Sequence, residues 1–354
     1  MEDIQVINVI FFLSSGLFLG WSLGANDAAN VFGTAVSSRM IKFGTAAVIC
    51  AIFLTIGSVM SGSGAAHTLG KLGAVDTLPG AFTVALASAL TVFLMTKMKL
   101  PVSTSQAIVG AIIGWNFFSG NPTDVKVVSK IVSTWVLCPL LSMFFAVIVF
   151  KIFKYLVEKS NIHIVRQDTY TRAGLIVAGA FGSYALGANN IANVMGVFVP
   201  SSPFKDITLY SGFVFTSVQQ LFLLGAVAIS IGVYTYSKRV MVTLGSDLFK
   251  LSPVASLVVV ISSSLVLFVF SSHELNLFLA SIHLPQIPLV PVSSSQAVVG
   301  AVVGIGLIKG GKEINLKVLA KISSGWIATP LFSAVVSYIT LFFMQNVFMN
   351  QVFQ

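Results

Sequence analysis

Charged residues are scarce in this chain of 354 residues. They make up 9% of the sequence, whereas 56% of the residues are hydrophobic, and soluble domains are about a quarter charged. This composition excludes an ordinary soluble enzyme. Nearly continuous apolar stretches recur, for example at residues 9–21, 137–150 and 255–270. Because about 20 residues cross the hydrocarbon core of a bilayer, we predict an all-α membrane protein with about 10 to 12 transmembrane helices.

Cysteine and histidine are also rare, with two and four residues respectively. Cys50 and Cys138 both lie in apolar segments, where a free thiol behaves as a small hydrophobe. We therefore predict neither a disulfide framework nor a metal cluster. The net charge of +9 comes from basic residues in short breaks between the apolar stretches. Such residues face lipid headgroups, so we expect no nucleic acid partner and no organic cofactor.

Two motifs each occur twice in the chain, in the same order. GANDAAN at residues 24–30 returns as GANNIAN at 187–193, and PVSTSQAIVGAIIG at 101–114 returns as PVSSSQAVVGAVVG at 291–304. A third segment, with a lysine, a tryptophan and a proline at matching positions, follows in each half. The chain therefore contains an internal repeat that covers most of its length.

Paired repeats are typical of secondary transporters, whose binding sites lie near the bilayer midplane where the repeats meet. We predict a first transmembrane repeat at residues 1–150 and a second one at residues 173–354. The polar stretch at 151–172 is predicted as an extramembrane connecting loop. We favour inverted repeats, with broken helices or re-entrant hairpins at the midplane.

The first motif pair places a cluster of amide side chains within an apolar segment. In each copy, the two asparagines that flank the cluster stand one helical turn apart and can present carbonyl oxygens on one face. We expect each motif to interrupt its helix and line a cavity, because irregular backbone is not tolerated against lipid. Oxygen ligands suit a hard cation such as sodium. The predicted sodium ligands are Asn26, Asp27, Asn30, Asn189, Asn190 and Asn193.

Asp27 is the only acidic residue inside the motifs, and the neutral Asn190 occupies the equivalent position in the second half. A carboxylate inside a membrane is costly, so a functional role is the default interpretation. We predict that Asp27 either binds the cation or accepts the proton by which phosphate differs from sulfate. The alternative is a polar side chain that only joins two helices.

The second motif pair predicts a helix start that binds an anion. Its proline suits the first turn of a helix, and the free N–H groups and positive dipole of that turn favour negative charge. The predicted substrate-binding residues are Asp27, Asn190, Ser103, Thr104, Ser105, Gln106, Ser293, Ser294, Ser295 and Gln296. The alternative is that the serines are ordinary helix caps followed by packing glycines.

Neither arginine nor lysine occurs in any of the four motifs. A buried permanent cation would hold an anion tightly, whereas a transporter must release it. Mobile cations that bind beside the anion can offset its charge and leave with it. The motifs therefore predict coupled transport of an oxyanion and a cation.

The paired motifs resemble those of the inorganic phosphate transporter family, which has two GANDxAN signatures and two PVS-type Ser/Thr-Gln segments. The resemblance covers nearly the whole chain, but the second signature departs at Asn190, where its acid is replaced. It implies orthophosphate as substrate, sodium or a proton as coupling ion, and an inverted-repeat fold. The family also resembles sulfate carriers. We favour sodium because the motifs are rich in amide oxygens and poor in titratable groups.

We thus expect a multi-pass secondary transporter in a prokaryotic plasma membrane that imports inorganic phosphate by symport with sodium. Its expected partners are phosphate, sodium and the lipid bilayer, and a homodimer is left open. A proton-coupled phosphate or sulfate permease and an anion channel are the alternatives. The protein is not expected to be an enzyme, although Ser63 and His67 vaguely suggest an intramembrane serine hydrolase.

Overall fold

The computed structural model describes residues 2–73, 75–97, 102–160, 163–208, 212, 214–243, 251–311 and 316–353. These residues form twelve α-helices, one short 3₁₀ turn at Gly196–Phe198, and the antiparallel strands β1 (Ile207–Thr208) and β2 (Val214–Phe215). The helices are α1 (Glu2–Ser37), α2 (Phe43–Ser61), α3 (Ser63–Leu72), α4 (Leu78–Lys97), α5 (Thr104–Ser119), α6 (Val125–Ser160), α7 (Ile164–Met195), α8 (Ser217–Thr243), α9 (Pro253–Ser271), α10 (His273–Ser281), α11 (Ser294–Ile308) and α12 (Leu316–Asn346).

Eight of the described helices are long and apolar enough to cross a membrane, namely α1, α2, α4, α6, α7, α8, α9 and α12. The two helices that begin at the serine-rich motifs are shorter. α5 has 16 residues and α11 has 15, which gives lengths of about 24 and 22 Å, less than the roughly 30 Å of a hydrocarbon core. They pack against α4 and α9 respectively. This arrangement fits re-entrant hairpins and leaves eight full-length spans within the described residues, fewer than the ten to twelve predicted.

The equivalent helices α1 and α7 run in opposite directions. Gly16 in the middle of α1 lies against Met195 at the end of α7, and Phe32 near the end of α1 lies against Gly179 in the middle of α7. The contacts therefore run in opposite order along the two helices. This antiparallel packing fits the predicted inverted repeat.

The second and third repeated segments also pack against each other across the two halves, in two equivalent pairs. Gly110 on α5 lies against the backbone of Pro330 on α12, and Gly300 on α11 lies against the backbone of Pro139 on α6. These four residues belong to the second and third repeated segments. The repeat therefore preserves the contacts by which each short helix is held against a long helix of the opposite half.

The Gly-Ala-Asn motifs do not break their helices, contrary to the prediction. α1 is continuous through residues 24–30 and α7 through residues 187–193. Instead, a Cβ atom on Gly24 would clash with the carbonyl of Ile229 on α8, and one on Gly187 would clash with the carbonyl of Leu54 on α2. The glycines are therefore needed for close helix packing, and the asparagines project from regular helix.

The polar connection at residues 151–172 is mostly helical, whereas a loop was predicted. α6 extends to Ser160 and α7 begins at Ile164, while residues 161 and 162 lie outside the described part of the chain. Exposed ion pairs one turn apart, Lys154–Glu158 at 3.7 Å and Arg172–Asp168 at 3.6 Å, support these helix ends. The polar residues therefore lengthen two spans beyond the apolar region.

Basic residues collect at one end of the bundle, where α1, α6, α8 and α11 end and α7 and α12 begin. We call it the basic end. Among the described residues, it carries Arg39, Lys42, Lys151, Lys154, Lys159, Arg166, Arg172, Lys238, Arg239, Lys309, Lys317 and Lys321, with the acids Glu158 and Asp168. At the opposite end, the described residues include Lys71, Lys126, Lys130 and Lys205 together with the acids Asp76, Asp124, Asp206 and Glu274. Cytoplasmic loops of membrane proteins carry an excess of lysine and arginine.

We predict that the basic end faces the cytoplasm. In a background without the two buried native thiols, an impermeant maleimide should label Lys126→Cys in intact cells. It should label Lys154→Cys only after the cells are permeabilised. The opposite pattern of labelling would show that the chain is inserted the other way round.

A second prediction concerns the close approach of α7 and α2. We expect Gly187→Ala to destabilise the protein by about 1–3 kcal/mol, because the added methyl group clashes with rigid backbone. Gly70→Ala on α3 is the control, since nothing lies within 4 Å of the position where its Cβ would be. Thermal unfolding in detergent measures both variants, and equal melting temperatures would contradict the role assigned to Gly187.

Candidate functional site

Hydrogen bonds bring the four predicted motifs together inside the bundle. Asn193 on α7 donates from Nδ2 to the Ser105 hydroxyl at 2.8 Å, and Asn30 on α1 donates from Nδ2 to the Ser294 hydroxyl at 3.0 Å. Each bond joins a Gly-Ala-Asn motif of one half to a serine-rich motif of the other half. The candidate site therefore lies between the repeats, as the sequence predicts for its residues.

The serine-rich motifs begin α5 and α11 in the same way. The Ser103 hydroxyl accepts a hydrogen bond from the Gln106 N–H at 3.4 Å, and the Ser293 hydroxyl accepts one from the Gln296 N–H at 3.3 Å. Ser103 and Ser293 therefore cap their helices, as in the alternative interpretation of the serines of this motif. Pro291 precedes the cap and lies outside the first turn where it was predicted. The equivalent proline lies outside the described residues.

Further serines of the motifs hold the two helix starts against each other. The Ser105 hydroxyl donates to the carbonyl of Val292 at 3.0 Å, and the Ser295 hydroxyl donates to the carbonyl of Val102 at 3.5 Å. Each serine thus binds the segment that precedes the other short helix. The hydroxyl protons of Ser105 and Ser295 are engaged in these bonds. These two serines therefore hold the helix starts in position and have no free proton to donate to a ligand.

Asn189 also binds backbone. Its Oδ1 accepts from the N–H of Val292 at 3.0 Å, and its Nδ2 donates to the carbonyl of Val290 at 3.5 Å. Both ends of the amide are therefore occupied by the extended segment before α11. The sequence shows the asparagine but carries no signal for its backbone partners.

Asp27 is buried, with 3% of its surface exposed. Its carboxylate accepts a hydrogen bond from Asn26 Nδ2 at 2.8 Å, and the Ser294 hydroxyl also faces it. Both partners are neutral, so they orient the carboxylate without cancelling its charge. A buried carboxylate that is solvated only by neutral dipoles fits a site for a cation.

Several buried polar atoms of the motifs have no hydrogen-bond partner among the described residues. Such an atom costs about 1–3 kcal/mol when left unpaired, so a group of them within the paired motifs is a candidate for contact with a ligand. They include donors, which suit an anion, and acceptors, which suit a cation. The atoms are Thr104 Oγ1, Gln106 Oε1, Asn190 Nδ2, Asn193 Oδ1 and Gln296 Oε1.

The pair that suggested a hydrolase lies elsewhere. Ser63 and His67 are both exposed on α3, outside the four motifs. Their placement supplies no link to the buried site.

The similarity of this chain to known proteins extends over nearly its whole length. The model of the phosphate transporter family matches residues 23–337 and 284–353. A provisionally named phosphate permease of Methanocaldococcus jannaschii is 29% identical over 334 residues, which cover 94% of this chain and 97% of the relative. A sulfate permease of Bacillus subtilis is 27% identical over 336 residues, covering 91% of this chain and 84% of the relative.

A solved structure titled as the sodium-dependent phosphate transporter has a similar fold. Its TM-score is 0.74, with 22% sequence identity, and the match covers 96% of this chain and 99% of that one. At this identity the likeness establishes the fold of the eight spans and the two short helices.

Proposed function

The chain belongs to the phosphate transporter family, and from this membership we propose that it imports inorganic phosphate by symport with sodium. It is a multi-pass membrane protein. The observation that supports the proposal best is a buried arrangement in which Asp27 faces Ser294 at the start of α11, while Asn193 bonds Ser105 at the start of α5. A single site then offers negative charge to a cation and helix N-termini to an anion.

The anion is proposed to bind at the two helix starts. The first N–H groups of each helix carry a partial positive charge, which favours phosphate without a fixed cation. Thr104, Gln106, Ser294 and Gln296 lie in these first turns and are all buried. Ser103, Ser105, Ser293 and Ser295 hold the turns in place by their caps and cross-bonds.

The cation is proposed to bind at oxygens of the Gly-Ala-Asn motifs. Asp27 supplies a charged oxygen, and Asn26, Asn30 and Asn193 supply amide oxygens from the same pair of motifs. Such a set suits sodium, which is a hard cation. Asn189 and Asn190 are weaker candidates, because the Oδ1 atom of each already accepts a hydrogen bond.

Coupling follows from the charges. Moving phosphate alone into a site that holds the Asp27 carboxylate would bring like charges together in a medium of low dielectric constant. Sodium bound at Asp27 removes that repulsion, so each ion favours the binding of the other. The pair can then leave together when the site opens on the other side.

The relatives named above come from an archaeon and a bacterium. We therefore propose the plasma membrane of a prokaryote as the location. The lipid bilayer is the remaining expected partner, and a homodimer stays a prediction.

Uptake of radiolabelled phosphate into proteoliposomes tests the proposed function. An inward sodium gradient should drive accumulation above equilibrium, whereas a proton gradient alone should not. Asp27→Asn should reduce the sodium-driven accumulation at least about tenfold, because a bond to a charged group is lost. Asp168→Asn is the control, since this exposed carboxylate belongs to the basic end; it should transport like the unchanged protein.

Other outcomes identify the alternatives. Accumulation driven by a proton gradient would identify the proton, and not sodium, as the coupling ion. Equilibration under every gradient would indicate a channel. Accumulation of sulfate in place of phosphate would make the chain a sulfate permease, an outcome that the relative in Bacillus subtilis makes worth testing.

A further inference from the structure

The site has two halves that are not chemically equivalent. The first half combines the motif at residues 24–30 with the start of α11, and the second half combines the motif at residues 187–193 with the start of α5. In the first half, Asn30 Nδ2 donates to the Ser294 hydroxyl, and that hydroxyl faces the Asp27 carboxylate. The Ser294 hydroxyl thus lies between the Asn30 amide and the Asp27 carboxylate. The start of α11 is therefore already engaged with an anionic group of the protein itself.

The second half has the same positions but different chemistry. By the repeat, Thr104 corresponds to Ser294, and Asn190 corresponds to Asp27. The Thr104 hydroxyl and Asn190 Nδ2 are both buried and lack a partner among the described residues. The two residues are 2% and 1% exposed respectively, so bulk water does not replace the missing partners.

The orientation of the Asn190 amide is determined by its neighbour. Asn193 Nδ2 donates to Asn190 Oδ1 at 2.9 Å, which requires the oxygen of Asn190 to point toward Asn193. The N–H₂ group of Asn190 is then the part of the amide that remains free. With aspartate at this position, the second half would offer an acceptor and a second negative charge in place of a donor.

We infer that the oxyanion binds in the second half, against Asn190 Nδ2 and the Thr104 hydroxyl at the start of α5, while the cation binds in the first half at Asp27. The inference rests on the proposed function and assigns different ligands to the two halves of the site. The motif residues of this half include two unpartnered donors and a helix N-terminus but no carboxylate. At the start of α11, by contrast, an oxyanion would face the charge of Asp27.

The test compares substitutions at equivalent positions of the two halves. Equilibrium binding of radiolabelled phosphate is measured at saturating sodium, and the sodium concentration for half-maximal binding is measured at saturating phosphate. Thr104→Val and Asn190→Ala should each weaken phosphate binding about tenfold and change the sodium requirement less than about twofold. Ser294→Ala, the matched variant, should raise the sodium requirement and change phosphate affinity less.

Asn190→Asp guards against a loss of binding that only reflects a damaged fold. It keeps the oxygen that Asn193 binds but replaces the free donor with negative charge, so phosphate binding should fall further than in Asn190→Ala. Melting temperatures are measured for each variant. Asn116→Ala, which removes a buried amide of α5 bonded to the carbonyl of Leu72, is the control for stability loss without loss of phosphate affinity.

The outcomes separate this inference from the proposed function. If the unchanged protein binds sulfate and not phosphate, the substrate proposal fails, and the same variants are tested with labelled sulfate. If Asn190→Ala raises the sodium requirement and leaves oxyanion affinity unchanged, the inference is wrong. It is also wrong if the Thr104 and Ser294 variants affect both ions alike, or if the unchanged protein binds neither oxyanion.

Discussion

The hydrocarbon core of a bilayer offers polar groups no water, and this constraint accounts for the construction of the buried site. Every donor and acceptor there must bind another group of the protein or a ligand. Most polar groups of the four motifs meet this requirement by capping a helix, as Ser103 does, or by binding backbone, as Asn189 does. The few that remain, such as Thr104 Oγ1 and Asn190 Nδ2, are therefore informative about the cargo.

Close packing is what brings these groups together. Gly24 and Gly187 let the two motif-bearing helices approach the carbonyls of α8 and α2, and Gly110 and Gly300 let the short helices approach the proline-containing helices of the opposite half. Since a methyl group at any of these glycines would meet backbone, glycine is required there for the motifs to keep their spacing. The two halves thus share a glycine at each equivalent position where one helix backbone contacts another.

The sequence predicts more of the site than of its surroundings, for a physical reason. Motif residues such as Asn193 and Ser105 bind each other, so two copies of each motif are enough to indicate that they meet. By contrast, the cross-bond from Ser105 to the carbonyl of Val292 involves backbone that any residue would present. The continuity of α1 through residues 24–30 was also missed, because glycine and asparagine both have low helix propensity and tertiary contacts overcome that preference.

Under the proposed symport, the replacement of one acid by an amide at position 190 has a consequence for the energetics of transport. Two carboxylates in the site would repel the anion from both sides, and each would need its own cation before phosphate could enter. With Asp27 alone, one cation neutralises the protein charge, and the donors of the second half are open to the anion. The single carboxylate also favours release. Once the cation leaves, Asp27 again repels the anion, which is then retained only weakly by helix dipoles and neutral donors. In the proposed mechanism, a site without a fixed cation therefore binds an anion in the presence of its coupling ion and releases it in its absence.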